Sequence, residues 1–570
     1  GLGVALVAAP LVVNPLGLHP SGATRSLLLA AVLLGVVVVS KLAPRFDDRW
    51  LLAAGSLILV CTLFSGAPAG SFRGGGLVGY GSLGLIAIMV AVWLASSLEL
   101  SDDVRHVTTA VAAGALGLAA AGLAWRLYPL AGSPGVVKGR WVGPMGNATT
   151  FGLWSGVLGV AAIAGATNER GRVRWLLVVA GAVSGASVVL SGSRAAVVGV
   201  IAGLVAIWCS KVARSTTQRM AGAAALALSG AALIWFVSLY VGASGLRSKS
   251  LAGRSDLLAS GWAAFVDRPL FGWGMGRLPV ALPANASPGL ARSIVNGGGP
   301  STTGFWPADV LAELGLFGGL LVVGLAGAAL VALWPNGERG WDPILCGGGV
   351  AFLAGRMFSG THLDVDLMGA VLVGLALATV QRPIGGWPEK SSTVAGAARR
   401  GRFCWVRPCV VATLILNVVF AGFDVMSDSA ARSTYQLANA GRYNAAMQST
   451  QRGTAPSPGL TESVELMSQF GSRMSESDLS ELSKLANRSL RWGWGTPSLS
   501  LSAANTQHVY DRRFVGTSAG CGRSREVTTA YPYLAPAWRS LASCLRWEGD
   551  SPGSRAAESR SRELVERSLD

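Results

Sequence analysis

The sequence predicts an all-α fold: a polytopic transmembrane helical bundle of about twelve to thirteen spans, followed by a soluble helical domain. Three observations predict it. The 570 residues have a mean hydropathy of +0.47 with only 14% charged residues and 76 glycines, too apolar and too rich in small residues for a water-soluble globule. Apolar runs of roughly 17 to 25 residues, the length that crosses about 30 Å of hydrocarbon, recur as far as residue 427. Beyond that point the chain turns polar and rich in Ser, Ala, Arg and Glu.

In order, spans are expected near residues 2–18, 25–42, 50–66, 77–98, 107–125, 150–167, 174–191, 195–210, 221–242, 304–333, 344–361, 366–381 and 408–426. The first run begins at Gly1 with no initiator Met and no basic flank, so the natural start of the chain is expected to lie before Gly1, and nothing in the sequence argues for a cleaved signal peptide. The pattern sets a membrane domain at 1–427, with one long loop at 243–303, and a helical domain at 428–570.

Orientation follows from the short loops. Lys41, Arg45 and Arg49, then Arg170, Arg172 and Arg174, then Lys211, Arg214 and Arg219, and finally Arg382 through Arg407 mark alternate loops as cytoplasmic. The loops at 126–149 and 243–303 and the tail after 427 are then outside, and the chain is a multi-pass protein of the cell membrane with an extracytoplasmic C-terminal domain. The net charge of +17 reads as topology, and no nucleic-acid partner is expected from it.

Arg194, in "SGSRAAVVGV", falls on the outer side between two spans, where positive charge is disfavoured. Two readings stand: a residue snorkelling from a helix end, or a ligand contact. The outer loops also hold Arg140, Arg247, Lys249, Arg254, Arg268, Arg277 and Arg292. Cations gathered at a membrane surface suit an anionic ligand delivered by the lipid, and guanidinium forks favour a diphosphate.

The order of motifs carries a family resemblance. "GRWVGPMGNATTFG" (139–152), "LSGSRAAVVG" (190–199), "GRSDLLASGWAAFVDRPLFGWGMGRLP" (253–279) and "FWPADVLAELGLFGG" (305–319) together resemble the O-antigen ligase and bactoprenol-linked polysaccharide polymerase superfamily, over about residues 30–380. Its members share a Gly-Asn element, a Ser-Arg element, an Arg…Trp…Pro-Leu-x-Gly-x-Gly loop and a Glu-x-Gly helix. The resemblance implies that Arg194 and Arg254 hold a lipid diphosphate. It also implies a His-Asn pair about nine residues before Glu313, where this chain has Gly304 and Phe305. Asp309 and Glu313, four apart on one helix face, are candidates for the missing base. His362, in "THLDVD" with Asp364 and Asp366, is the other, a candidate substrate contact: a hydrogen-bonded cap on one reading, a base or metal site on the other.

Three further features have plainer readings. "FGWGMG" lacks the surrounding strands of a dinucleotide fingerprint, so its glycines are expected in a tight turn. Ser255 is expected to N-cap a short helix through Phe265, stopped by Pro269, with Trp262 and Phe265 at the bilayer interface; the helix reads equally as a structural element or as a lid, and Trp262 is a candidate substrate contact. Asn147 and Arg140 are candidate sugar or substrate contacts, with helix capping the competing role for Asn147.

The tail has amphipathic helical periodicity and resembles tetratricopeptide-type helical hairpins, which some relatives carry. Cys521 and Cys544 share it, in a compartment where they can pair. The resemblance as a whole implies a membrane glycosyltransferase. An acceptor hydroxyl attacks a glycan carried on polyprenyl diphosphate, with no cofactor and no metal, because the donor already carries a good leaving group. Ligase and polymerase differ only in the acceptor, a glycan or glycolipid. The expected partners are that donor, that acceptor, the lipid bilayer and proteins bound through the C-terminal domain. The rival reading is a non-catalytic membrane protein that binds lipid-linked glycan or scaffolds an assembly complex. A transporter is disfavoured because ionisable residues concentrate at the outer surface.

Overall fold

The computed structural model describes residues 22–39, 48–65, 67–74, 81–97, 104–127, 136–137, 140–145, 147–212, 248–294, 300, 302–334, 342–360, 362–380, 393–452, 458–491, 496–516 and 520–569. The expected spans at 2–18 and 221–242 lie outside the described residues. The others each fall on a helix: α1 (Gly22–Val39), α2 (Asp48–Leu63), the short α3 (Pro68–Arg73) before α4 (Ser82–Ser96), and α5 (Val104–Leu127). After them come α6 (Ala148–Asn168), α7 (Gly171–Ser191) and α8 (Arg194–Val212). The loop segment contributes α9 (Ser248–Asp267), α10 (Leu278–Ala284) and α11 (Pro288–Ser293). The bundle is completed by α12 (Trp306–Leu333), α13 (Pro343–Arg356), α14 (Leu363–Val380) and α15 (Thr393–Asn439). Among the described residues, the strands are one two-residue antiparallel hairpin, β1 (Val136–Val137) and β2 (Arg140–Trp141), which pairs Val137 with Arg140.

Five of these helices are long and apolar enough to cross a membrane: those holding 110–127, 148–168, 171–191, 306–333 and 408–439. Five more apolar helices are shorter. Their surfaces separate as a bilayer requires, with large apolar side chains on the outer faces of α2 (Trp50, Leu63), α7 (Trp175, Val189), α12 (Phe317, Leu320) and α15 (Ile415, Val419). The multi-pass membrane character expected from composition is therefore present in the fold.

At the centre is α6, most of whose residues are buried. Small residues on all its sides let α5, α7, α8 and α13 approach it. Helices α8 and α13 run antiparallel with backbones nearly touching: Gly199 lies beside Ala351, and a Cβ at Gly355 would come within 2.8 Å of the Ala195 carbonyl oxygen. The first turn of α8 thereby meets the last turn of α13, which brings two distant sequence motifs to one end of the bundle.

Helix α9 departs from expectation. It begins at Ser248, so Ser255 lies inside it and does not cap it. The residues before Ser255, with Leu251 and Ala252 among them, are good helix formers and extend the helix backwards. Its end at Asp267, two residues before Pro269, is as the proline requires.

Helix α15 runs 47 residues, about 70 Å at 1.5 Å per residue, and packs along α1 and α4 before entering the C-terminal domain. The expected boundary at 427/428 falls within this continuous helix. The domain beyond is helical: α16 (Tyr443–Arg452), α17 (Pro458–Ser468), α18 (Glu476–Arg491), α19 (Pro497–Tyr510), α20 (Gly520–Ala530), α21 (Ala535–Trp547) and α22 (Ser551–Leu569), successive helices packing on one another. A disulfide between Cys521 and Cys544 ties α20 to α21, with Cα atoms 5.5 Å apart.

Candidate functional site

The Gly-Asn and Ser-Arg motifs lock together at one end of α6. Asn147 caps that helix, its side-chain oxygen accepting from the Thr149 amide at 2.7 Å. On β2, Arg140 donates from Nε to the Ser191 carbonyl at 2.7 Å and from Nη2 to Thr149 Oγ1 at 3.5 Å. Ser193 donates to the Thr149 carbonyl at 3.3 Å and accepts from the Ala196 amide at 3.2 Å, capping α8. Arg194, half-buried, is the first residue of that helix. Asn147, Arg140 and Arg194 are thus neighbours.

The Pro-Leu-x-Gly-x-Gly loop and the Glu-x-Gly helix are also one unit. The amides of Trp273 and Gly274 donate to the carbonyls of Ala312 and Glu313 at 3.0 and 2.7 Å, and the Leu316 amide donates to the Pro269 carbonyl at 2.7 Å. Gly315 has φ 66° and sits against the backbone of Leu270, a place with no room for a Cβ; there α12 kinks. The buried Glu313 carboxylate accepts from the backbone amides of Gly276, Arg277 and Leu278. One turn earlier the buried Asp309 accepts from the Thr303 amide at 2.7 Å, from Thr303 Oγ1 at 2.6 Å and from Thr302 Oγ1. Both carboxylates therefore hold loop backbone in place, each accepting three hydrogen bonds.

A second polar layer joins these units. Arg356, at the end of α13, makes a two-point ion pair with Asp366 of α14, Nη2 to Oδ2 at 2.8 Å, and donates to the Ser359 carbonyl at 2.7 Å. Arg25 of α1 pairs with Asp364 at 3.0 Å and also donates to the Pro144 carbonyl, linking the Gly-Asn turn to "THLDVD". All four side chains are buried. His362 lies in the turn immediately before α14, whose first turn carries both carboxylates. Burial is the largest influence on its imidazole and pushes its pKa down, aided by Arg356 and Arg25 and opposed by Asp364 and Asp366. Its turn packs on Thr302, the partner of Asp309, through Gly360.

From this layer a cavity of about 550 Å³ runs down the bundle between α2, α4, α12, α13 and α14. Its wall is apolar except at one end, where Arg356, Asp366 and Trp306 line it; from Asp366 to Leu377 along α14 is about 16 Å. A charged end on an apolar groove matches an amphiphile rather than a free sugar.

Two expected site residues lie apart. Trp262 is 62% exposed on α9, its ring 5.2 Å from that of Phe265, as an interfacial aromatic would be. Arg254 is on the same helix, with its side chain outside the described residues. Sequence reasoning missed Arg25 and Arg356. The second had a signal: an arginine inside an expected span calls for a partner, and Asp366 opens the next span. Among the described residues no group of three or more metal-ligating side chains occurs.

Residues 179–323 match the family model described as O-Antigen ligase. The matched segment holds Arg194, Arg254, Trp262, Asp309 and Glu313, and stops before His362. No curated protein and no solved structure matches the chain.

Proposed function

We propose, from the O-antigen ligase-like character that residues 179–323 carry, that this membrane protein of polysaccharide assembly transfers a glycan from a polyprenyl diphosphate to an acceptor hydroxyl. The observation that carries the reading is the apolar cavity ending at the buried Arg356–Asp366 pair. It takes the isoprene units next to the headgroup and leaves the diphosphate in the polar layer. Arg194 and Arg254 hold that diphosphate, since the salt-bridged Arg356 is committed to Asp366.

In the step itself the acceptor oxygen attacks the anomeric carbon, the bond from that carbon to the diphosphate oxygen breaks, and polyprenyl diphosphate leaves with the bonding electrons, its charge offset by the arginines. The hydroxyl proton passes to His362, which burial keeps neutral and able to accept it. Asp309 and Glu313 serve as anchors for the loop that covers the site. Arg140 and Asn147 set the Gly-Asn turn beside Arg194. The cells' outer face is where this chemistry takes place, with the C-terminal domain, tetratricopeptide-like in its succession of hairpins, on the same side and available to protein partners.

The test is incubation of the purified protein with a polyprenyl-diphosphate glycan and candidate acceptors. Released lipid diphosphate together with an elongated or transferred glycan is expected. Binding of the donor without any release, across several acceptors, overturns transfer in favour of a binding or scaffolding role.

A further inference from the structure

Arg277 is unlike the other buried arginines described above. It is only 7% exposed, and its Nε and Nη1 have no hydrogen-bond partner among the described residues. The nearby carboxylate, Glu313, is occupied by the backbone amides of the same turn, including that of Arg277 itself. After Tyr531, the group that acts on Arg277 is another cation, Arg268, whose guanidinium stacks 4.4 Å from the Trp273 ring. Burial chiefly, and then Arg268, lowers the Arg277 pKa to about 10, with Tyr531 acting in the opposite direction.

Tyr531 belongs to the C-terminal domain. It is buried, and its neighbour Tyr533 donates its hydroxyl to the Pro283 carbonyl, while α22 packs against α11. The domain therefore sits on the 277–293 segment and closes over Arg277. A buried guanidinium with two nitrogens lacking a partner among the described residues, beside a second cation, is costly, and native proteins keep such a group only where something pairs with it. We propose that the seam between the loop and the C-terminal domain is an oxyanion site for a phosphate-class group, held by Arg277 with Arg268 and the Tyr531 hydroxyl. The anion is either a free phosphate or pyrophosphate, or the headgroup of a lipid diphosphate; both present the same oxygens to the guanidinium. The site does not depend on glycan transfer, and a tail-less probe reads it without the apolar cavity.

The experiment measures binding of inorganic pyrophosphate and of a short-chain polyprenyl diphosphate to the detergent-purified full chain, by calorimetry and by the shift in unfolding temperature. The proteins compared are wild type, Arg277→Met, Tyr531→Phe and a charge-matched control, Lys484→Met, at an exposed position. Saturable binding that weakens at least tenfold in Arg277→Met and by less in Tyr531→Phe, with the control unchanged, is expected. Ligand-free Arg277→Met should unfold no lower than wild type, because it removes an unpaired charge. Pyrophosphate binding identifies a free anion as sufficient; binding of the lipid diphosphate alone, still lost in Arg277→Met, assigns the headgroup. If neither phosphate binds wild type, or Arg277→Met binds both as wild type does, the site does not exist. Should Arg277→Met not be recovered folded, Arg277→Gln carries the same comparison.

Discussion

Arg356 and Asp366 form a buried two-point ion pair, Nη2 to Oδ2 at 2.8 Å, at the mouth of the apolar cavity and between helices whose ends carry the remaining site residues. Removing one partner leaves the other charge buried and unpaired, which costs about 3–5 kcal/mol. Asp366→Asn should lower the unfolding temperature in detergent markedly, and the double variant Arg356→Met with Asp366→Leu should recover most of the loss. A single variant as stable as wild type would contradict the pairing.

Arginine geometry is the test of the diphosphate contacts. Lysine keeps the charge of Arg194 and Arg254 but not the planar fork. Each Arg→Lys change should weaken donor binding nearly as much as Arg→Ala, by about ten- to a hundredfold given roughly 1.5–3 kcal/mol for a charged hydrogen bond. Wild-type activity in both lysine variants removes them from the site.

His362 and the two anchoring carboxylates should separate by phenotype. His362→Gln is expected to cut turnover by about 10² to 10⁴ with donor affinity kept. Asp309→Asn and Glu313→Gln should lose activity together with thermal stability, since each breaks hydrogen bonds to loop backbone. If Asp309→Asn or Glu313→Gln instead lost only turnover, that carboxylate would be the base.

The same histidine has a pH signature. Its folded-state pKa lies below the ordinary 6.5, so the unfolded chain binds more protons in the interval between the two values. The stability it contributes is complete above pH 6.5 and is lost as pH falls through that interval. His362→Gln should flatten the acid side of an unfolding temperature curve from about pH 5 to 7, the range in which histidine titrates.

Filling the cavity tests the lipid tail. Ala326, on α12, lines it, and Ala326→Phe places a ring in the groove far from the polar layer. The KM for a polyprenyl-linked donor should rise on the order of tenfold, about 1.4 kcal/mol. Pyrophosphate binding should not change. An unaltered donor KM would mean that the tail lies elsewhere.

Sidedness is read by labelling. Single cysteines at Ser287 and Ser477 should react with an impermeant reagent in intact cells, and reaction only after permeabilisation would reverse the site model. The Cys521–Cys544 disulfide, closing 23 positions, should contribute about 3.5 kcal/mol to the C-terminal domain, measured as the loss on replacing both by alanine.

Much of this was legible beforehand, and the particulars show why. Asn147 before an apolar run is a cap from local chemistry alone, and the structure has it capping α6. Cys521 and Cys544 stood out because the polar tail holds just those two cysteines. The start of α9 was misplaced because a serine before an apolar stretch looks like a cap whether or not the helix has already begun. Arg25 was invisible because its partner Asp364 is 339 positions away.

The amino-acid sequence by itself determined that the chain is a helical membrane protein with a polar helical tail and motifs that resemble those of O-antigen ligases. Hydrocarbon imposes a one-dimensional demand, long apolar runs with basic connecting loops, and a linear pattern can meet it in full. Only the tertiary structure decided what the buried charges do. Glu313 is held by backbone amides that carry no residue identity in the sequence, Arg356 is committed to Asp366 across two antiparallel helices, and Arg277 keeps two nitrogens without a partner among the described residues beneath the C-terminal domain. Whether a carboxylate acts as base or anchor depends on which donors surround it within about 3 Å, and chain folding, not chain order, sets that neighbourhood.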